Sequence, residues 1–159
     1  MREKLWNLLD KTRYEYNYYQ QYKAYLEKCQ MVVAITTAIV WAMVVNLALL
    51  FSDYSLLWTL LLILSGMIAI IIDKMGIANR IAALKYYLPQ MSKKLDAFHK
   101  DWMQASEATE QELLVLFTKH MRRFSALADT YLQDIHIPPH SGSAEKADVI
   151  ARHWAEYLS

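Results

Sequence analysis

The sequence predicts an all-α membrane protein, a two-helix transmembrane hairpin with an N-terminal cytoplasmic helix and a small C-terminal helical domain. Three observations carry that expectation. Two long apolar runs stand almost side by side, nearly all charge lies outside them, and 159 residues contain only three Gly and three Pro. So few turn residues disfavour a loop-rich β fold. An apolar content of 55% excludes a disordered chain, and the single cysteine, Cys29, excludes both a disulfide framework and a thiolate-rich zinc module. With 17 basic against 16 acidic side chains the chain is not a bulk binder of DNA or long RNA. No GxGxxG, GxxxxGK[ST], HExxH or CxxC spacing occurs, so neither an enzyme nor a cofactor-dependent protein is expected.

The organisation divides into residues 1–30, a helix at the membrane surface; 31–73, the hairpin; and 74–159, the C-terminal helical part. The first 28 residues lack Gly and Pro and read as a helix running into the first span. Tyr14, Tyr18, Tyr22 and Tyr25 fall at i, i+4, i+8 and i+11 and share one face, continuing a stripe begun by Leu5, Leu8 and Leu9. Such a stripe suits packing, against the helix after Ile72 or a second subunit, better than a ligand cage.

The spans are 31–51 and 54–72. At 1.5 Å per helical residue the first covers about 31 Å, the thickness of a hydrocarbon core. Both runs are apolar all round, and 159 residues cannot wrap two such helices in a core of their own. Ser52, Asp53, Tyr54 and Ser55 make a tight turn between them. Arg2, Lys4, Lys11, Arg13, Lys23 and Lys28 precede the first span, Lys74, Arg80 and Lys85 follow the second, and the turn has no cation. The positive-inside rule therefore puts both termini in the cytoplasm. Asn46 is the sharpest polar residue within the spans. Its amide either bonds across a helix interface or sits hydrated near the outer headgroups.

Beyond Asp73 a helical pattern continues through IANRIAALKYYL to Pro89, which should end or kink that helix or begin a new one. Leu95, Phe98 and Trp102 then form an apolar seam. Thr109 to Glu112 fits a capping box that opens a helix burying Leu113, Leu116, Phe117, Phe124, Leu127 and Leu132 and ending near Asp134. Ser143 is a plausible N-cap for a last helix.

Two features have the chemistry of an anion site. Lys119, Arg122 and Arg123 lie at i, i+3 and i+4 with His120 beside them, and mutual repulsion suits an anionic ligand. A solvated basic face relieved by acidic residues of neighbouring helices is the simpler account of this segment taken alone. The second feature is His140, Ser141, Gly142 and Ser143 leading into a helix with Lys146 in its first turns, where free amides favour phosphate. An ordinary turn and cap is the alternative. The spacing of His136 and His140 does not make a metal pair, because Pro138 and Pro139 intervene. Repeated around a cyclic homo-oligomer, the cations would form a ring matching several phosphates in a ring, as in a cyclic oligonucleotide, with bases stacking on Tyr131, Trp154 or Tyr157.

The stretch TRYEYNYYQQYKAYLEK, the tight hairpin and the helix DKMGIANRIAALKYYL together resemble the two-transmembrane effectors of bacterial antiphage defence. Among these the chain is similar to SLATT-type effectors and to the small membrane effectors of type III CRISPR systems. The resemblance covers roughly Leu9 to Leu88. It implies an effector of the bacterial inner membrane, switched by cyclic oligoadenylate bound to the cytoplasmic part and acting on the bilayer or its potential. A cyclic tetranucleotide would imply a tetramer. A membrane anchor for a partner protein and a ligand-independent, holin-like hairpin are the competing readings.

Overall fold

The computed structural model describes residues 1–50, 55–74, 76–133, 135, 137 and 139–158, with the backbone alone at 48–50, 55, 69, 72–74, 106 and 151–158. The described residues are helical, without a strand. In chain order they form α1 (Arg2–Leu50), α2 (Ser55–Lys74), α3 (Ile77–Gln104), one 3-10 turn (Ala105–Glu107), α4 (Glu110–Leu132) and α5 (Ser141–Leu158). The turn of residues 51–54, the helix end near Asp134, and His136 and Pro138 lie outside the described residues, as do the side chains of Trp154 and Tyr157. The chain divides into two compact units. One joins Met1–Ala24 to Ala82–Ser159, and the other is Tyr25–Ile81.

The first unit is a four-helix bundle made from the start of α1, most of α3, α4 and α5. The start of α1 runs antiparallel to α3: Arg2 Nη2 donates to the Ala105 carbonyl at 2.9 Å, Arg13 meets His99 at 2.9 Å, and the rings of Tyr19 and Tyr87 meet edge to face at 5.6 Å. Residue numbers fall on α3 as they rise on α1. Leu5, Leu9, Phe98, Ala105 and Leu113 form the lower core, with Trp6, Leu95, Trp102 and Phe124 packed round it. Each large side chain fully removed from water contributes about 1.5–3 kcal/mol. The upper part is aromatic, with Tyr18 and Tyr22 stacked at 6.2 Å and Tyr22, Tyr87 and Leu88 buried. Within the tyrosine stripe Tyr18 and Tyr22 are thus packing surface against His140 at the start of α5, Tyr19 beside them meets α3, and Tyr25 is exposed.

The capping box is present as the sequence predicts. Thr109 Oγ1 accepts from the Glu112 amide at 3.4 Å, and the Glu112 carboxylate accepts from the Thr109 amide at 2.8 Å. The bonds it accepts from the Thr109 amide and hydroxyl hold the exposed Glu112 carboxyl below its ordinary pKa. Of the outcomes expected at Pro89 the helix end is not seen, and the break after Asp73 lies where it was not expected. Pro89 does not end α3, which runs through it; Pro89 and Lys85, whose carbonyl loses its helical donor, are both exposed residues, where solvent can take that donor's place. The helical pattern after Asp73 is broken instead at Gly76, whose φ of +65° is readily adopted only without a Cβ.

The second unit has the opposite surface. Ile35, Ile39, Trp41, Leu56, Leu60 and Ile63 are exposed there. Its polar side chains turn to their own backbone: Asn46 Nδ2 donates to the Ala42 carbonyl at 2.7 Å and Ser65 Oγ to the Leu62 carbonyl at 2.9 Å. Among the described helices, α1 is long and apolar enough to cross a membrane, and the described apolar stretch of α2 is the shorter Leu56–Ile68.

Candidate functional site

On the bundle, α4 presents Lys119 and His120 to α3, where both bond one oxygen. Lys119 Nζ lies 2.7 Å and His120 Nε2 2.9 Å from Asp101 Oδ2. The imidazole is fully buried and stacks on Phe98 with ring centres 4.2 Å apart and planes 15° from parallel. Its Nδ1 is buried without a hydrogen-bond partner among the described residues. Burial pushes the His120 pKa below its usual value, only partly offset by Asp101, while the hydrogen bond from Lys119 is the largest influence holding the Asp101 carboxyl low. A neutral ring is therefore the form that fits.

The predicted basic cluster is consequently divided. Lys119 and His120 are committed to Asp101, whereas Arg122 and Arg123 are exposed. Arg122 borders a shallow groove of about 420 Å³ whose wall includes Phe117, Met121 and Asp129. The relief of a basic face by a neighbouring acid thus holds for half the cluster. A larger cleft of about 720 Å³ lies where α3 meets α4, beside Asp101, Glu107 and Glu112. Its charged walls are carboxylates, so it does not suit phosphate.

The second predicted feature is also built differently. Helix α5 begins at Ser141, and Ser143 is not its N-cap; it lies buried in the first turn. The capping group is His140, whose Nδ1 stands 3.1 Å from the Ser143 amide and 2.9 Å from its hydroxyl. An amide only donates, so Nδ1 carries the lone pair. A Cβ at Gly142 would come within 3.3 Å of the His140 ring, a tight contact that the ring would have to ease. The His140 amide donates to Tyr18 Oη at 3.0 Å, pinning α5 to α1. Ser141 and Lys146 are exposed.

The two features do not converge within one chain. His120 belongs to the level of Phe98 and Leu9, and His140 to that of Tyr18 and Tyr22. Leu9 and Tyr22 are separated by about 20 Å along α1. No group of three or more His, Cys, Asp or Glu suited to a metal occurs among the described residues. Asp101 carries no motif, and Phe98 and Tyr18, legible as members of a seam and a stripe, give no sign of their pairing with His120 and His140. Their roles arise from antiparallel packing that sequence spacing does not show.

Comparison with known proteins gives no match, whether with protein-family models, curated proteins or solved structures.

Proposed function

We propose that the chain is a non-enzymatic, homo-oligomeric membrane effector of antiphage defence. In this reading residues 31–51 and 54–72 form a hairpin in the bacterial inner membrane, with both termini cytoplasmic. The bundle receives a cyclic oligonucleotide, cyclic oligoadenylate in preference, and the hairpin assembly then disrupts membrane integrity or potential. A cyclic tetranucleotide would set a tetramer.

The observation that carries the reading is the continuity of α1. One 49-residue helix begins among the buried side chains of the bundle and ends in the apolar run, without Gly or Pro between. In this reading a rearrangement of the bundle acts through that helix. Arg122, Arg123 and Lys146 supply exposed cations for phosphates. Lys119 supplies one more if a phosphate draws it from Asp101, and that exchange would loosen α3 from α4. Such a ligand shifts the equilibrium only by binding the loosened state more tightly.

The test uses purified full-length protein in lipid vesicles carrying a potential-sensitive dye, with cyclic di-, tri-, tetra- and hexanucleotides added in turn. Salt-sensitive binding of one ring size with collapse of the potential is expected. Absence of binding by every ring would remove the ligand from the reading. The membrane-anchor alternative is favoured by exposed Leu114, Val115 and Met121 on α4, which suit a partner protein. It predicts an intact potential under all these conditions.

A further inference from the structure

A third polar constellation lies on the seam between α1 and α3, apart from both features considered above. Arg13, Tyr16 and Asn17 occur at i, i+3 and i+4 on α1, and Leu95, Asp96 and His99 face them from α3 around a cleft of about 320 Å³. That is the lower range of small-molecule sites. Arg13 Nη2 is 2.9 Å from His99 Nδ1. A guanidinium has only donors, so His99 Nδ1 accepts and the ring proton resides on Nε2. The helix pair therefore offers the remaining guanidinium N–H groups, an imidazole N–H and the Asn17 amide.

Arg13 is half-buried, and its partner across the seam is a neutral ring rather than a carboxylate. Burial lowers its pKa, with Asp10 on its own helix only partly compensating. A cation deprived of water in this way is stabilised by an incoming oxyanion. Donors arriving from two helices match a group with several oxygens. The cleft exceeds the size of a bare phosphate, and Leu95 and the Tyr16 ring give it apolar wall. Asp96, exposed on the rim, opposes an anion, but a phosphate monoester carries about −1.5 to −2 at neutral pH and Asp96 can accept from a hydroxyl on the ligand.

We propose that the cleft between Arg13 and His99 is a binding site for a small organic phosphate. It is formed by one chain, requires no oligomer, and joins the two helices whose spacing fixes this edge of the bundle.

The experiment titrates the full-length protein in detergent with inorganic phosphate and with phenyl phosphate at constant ionic strength. Calorimetry reads affinity, and nitrogen NMR of labelled histidine reads the His99 ring. Saturable binding that moves the His99 Nε2 signal is expected, with phenyl phosphate the tighter of the two. Arg13→Ala should weaken it about tenfold or more, as loss of a charge-assisted hydrogen bond implies. His99→Leu should act in the same direction, which guards against a folding defect in one variant. Lys4→Ala, at an exposed cation of α1 outside the cleft, should bind as the parent does. Unaltered affinity in Arg13→Ala and His99→Leu, or an equal loss in Lys4→Ala, would overturn the site. Phenyl phosphate binding no tighter than inorganic phosphate would overturn the organic ligand. Cyclic oligonucleotides enter no arm, so failure of the proposed function and failure of this site are separable.

Discussion

The two units of this chain satisfy their polar groups in opposite ways. In the bundle, apolar side chains turn inward and polar ones link helices: Arg2 to Ala105, Lys119 to Asp101, His140 to Tyr18. In Tyr25–Ile81 many of the described apolar side chains are exposed, with Leu26 and Val44 buried, and Thr36, Asn46 and Ser65 bond to their own helix one turn back. The first arrangement needs water outside and specific neighbours inside. The second suits a surrounding that offers no hydrogen bonds, where each helix must satisfy itself. One helix serves both regimes, so the change from one to the other lies in side chains and not in backbone.

The largest break in this contrast should come from the bundle core. Phe98→Ala removes the ring on which His120 stacks and leaves a cavity beside Leu5 and Leu9, at about 3–5 kcal/mol. Denaturant unfolding should show loss of the bundle's cooperative transition. Ile39→Lys tests the other unit, since Ile39 is exposed near the middle of the first span. In a bilayer that change should cost about 2.5–3.5 kcal/mol and reduce membrane insertion. In water it would cost almost nothing and raise solubility. Normal recovery of Ile39→Lys in the soluble fraction, folded, would end the two-solvent description.

Acid should act on the bundle alone. The neutral His120 ring has a folded-state pKa below its ordinary 6.5, so below that pH the unfolded chain takes up a proton that the folded one resists. This contribution is present above 6.5 and is lost as pH falls through the depressed value. Asp101, also depressed, acts in the same direction only below its ordinary 3.8. The bundle's Tm should therefore decline between pH 7 and pH 5, and His120→Phe should flatten that decline. An equally steep decline in His120→Phe would assign it elsewhere.

Legibility from sequence follows the same division. Features set by neighbours along the chain could be read directly, among them the unbroken α1, the capping box at Thr109 and the two apolar runs. Those set by neighbours across the bundle could not. Spacing places Lys119, Arg122 and Arg123 close together on α4, but says nothing of Asp101 on α3, which takes one cation and leaves two exposed. Ser143 reads as an N-cap by residue type, yet the His140 ring caps the helix upstream, on a residue whose amide bonds Tyr18, 122 positions away. Pro89 lies at an exposed position where a missing donor is tolerated, and Gly76 marked the true break through a backbone conformation that periodicity does not report.

Asn46 gives the smallest expected effect and the finest discrimination. Its amide donates to Ala42 in its own helix, so Asn46→Leu removes a bond that replaces nothing between helices. Interhelical polar contacts in membranes average about 0.6 kcal/mol, and a self-satisfied amide should contribute less. Cross-linking and thermal unfolding in detergent should therefore match the parent protein. If instead Asn46→Leu dissolves an oligomer, the carbonyl oxygen of this side chain is shared with another copy. The apolar unit would then, like the bundle, depend on a specific neighbour, and the difference between the two regions would be one of solvent only.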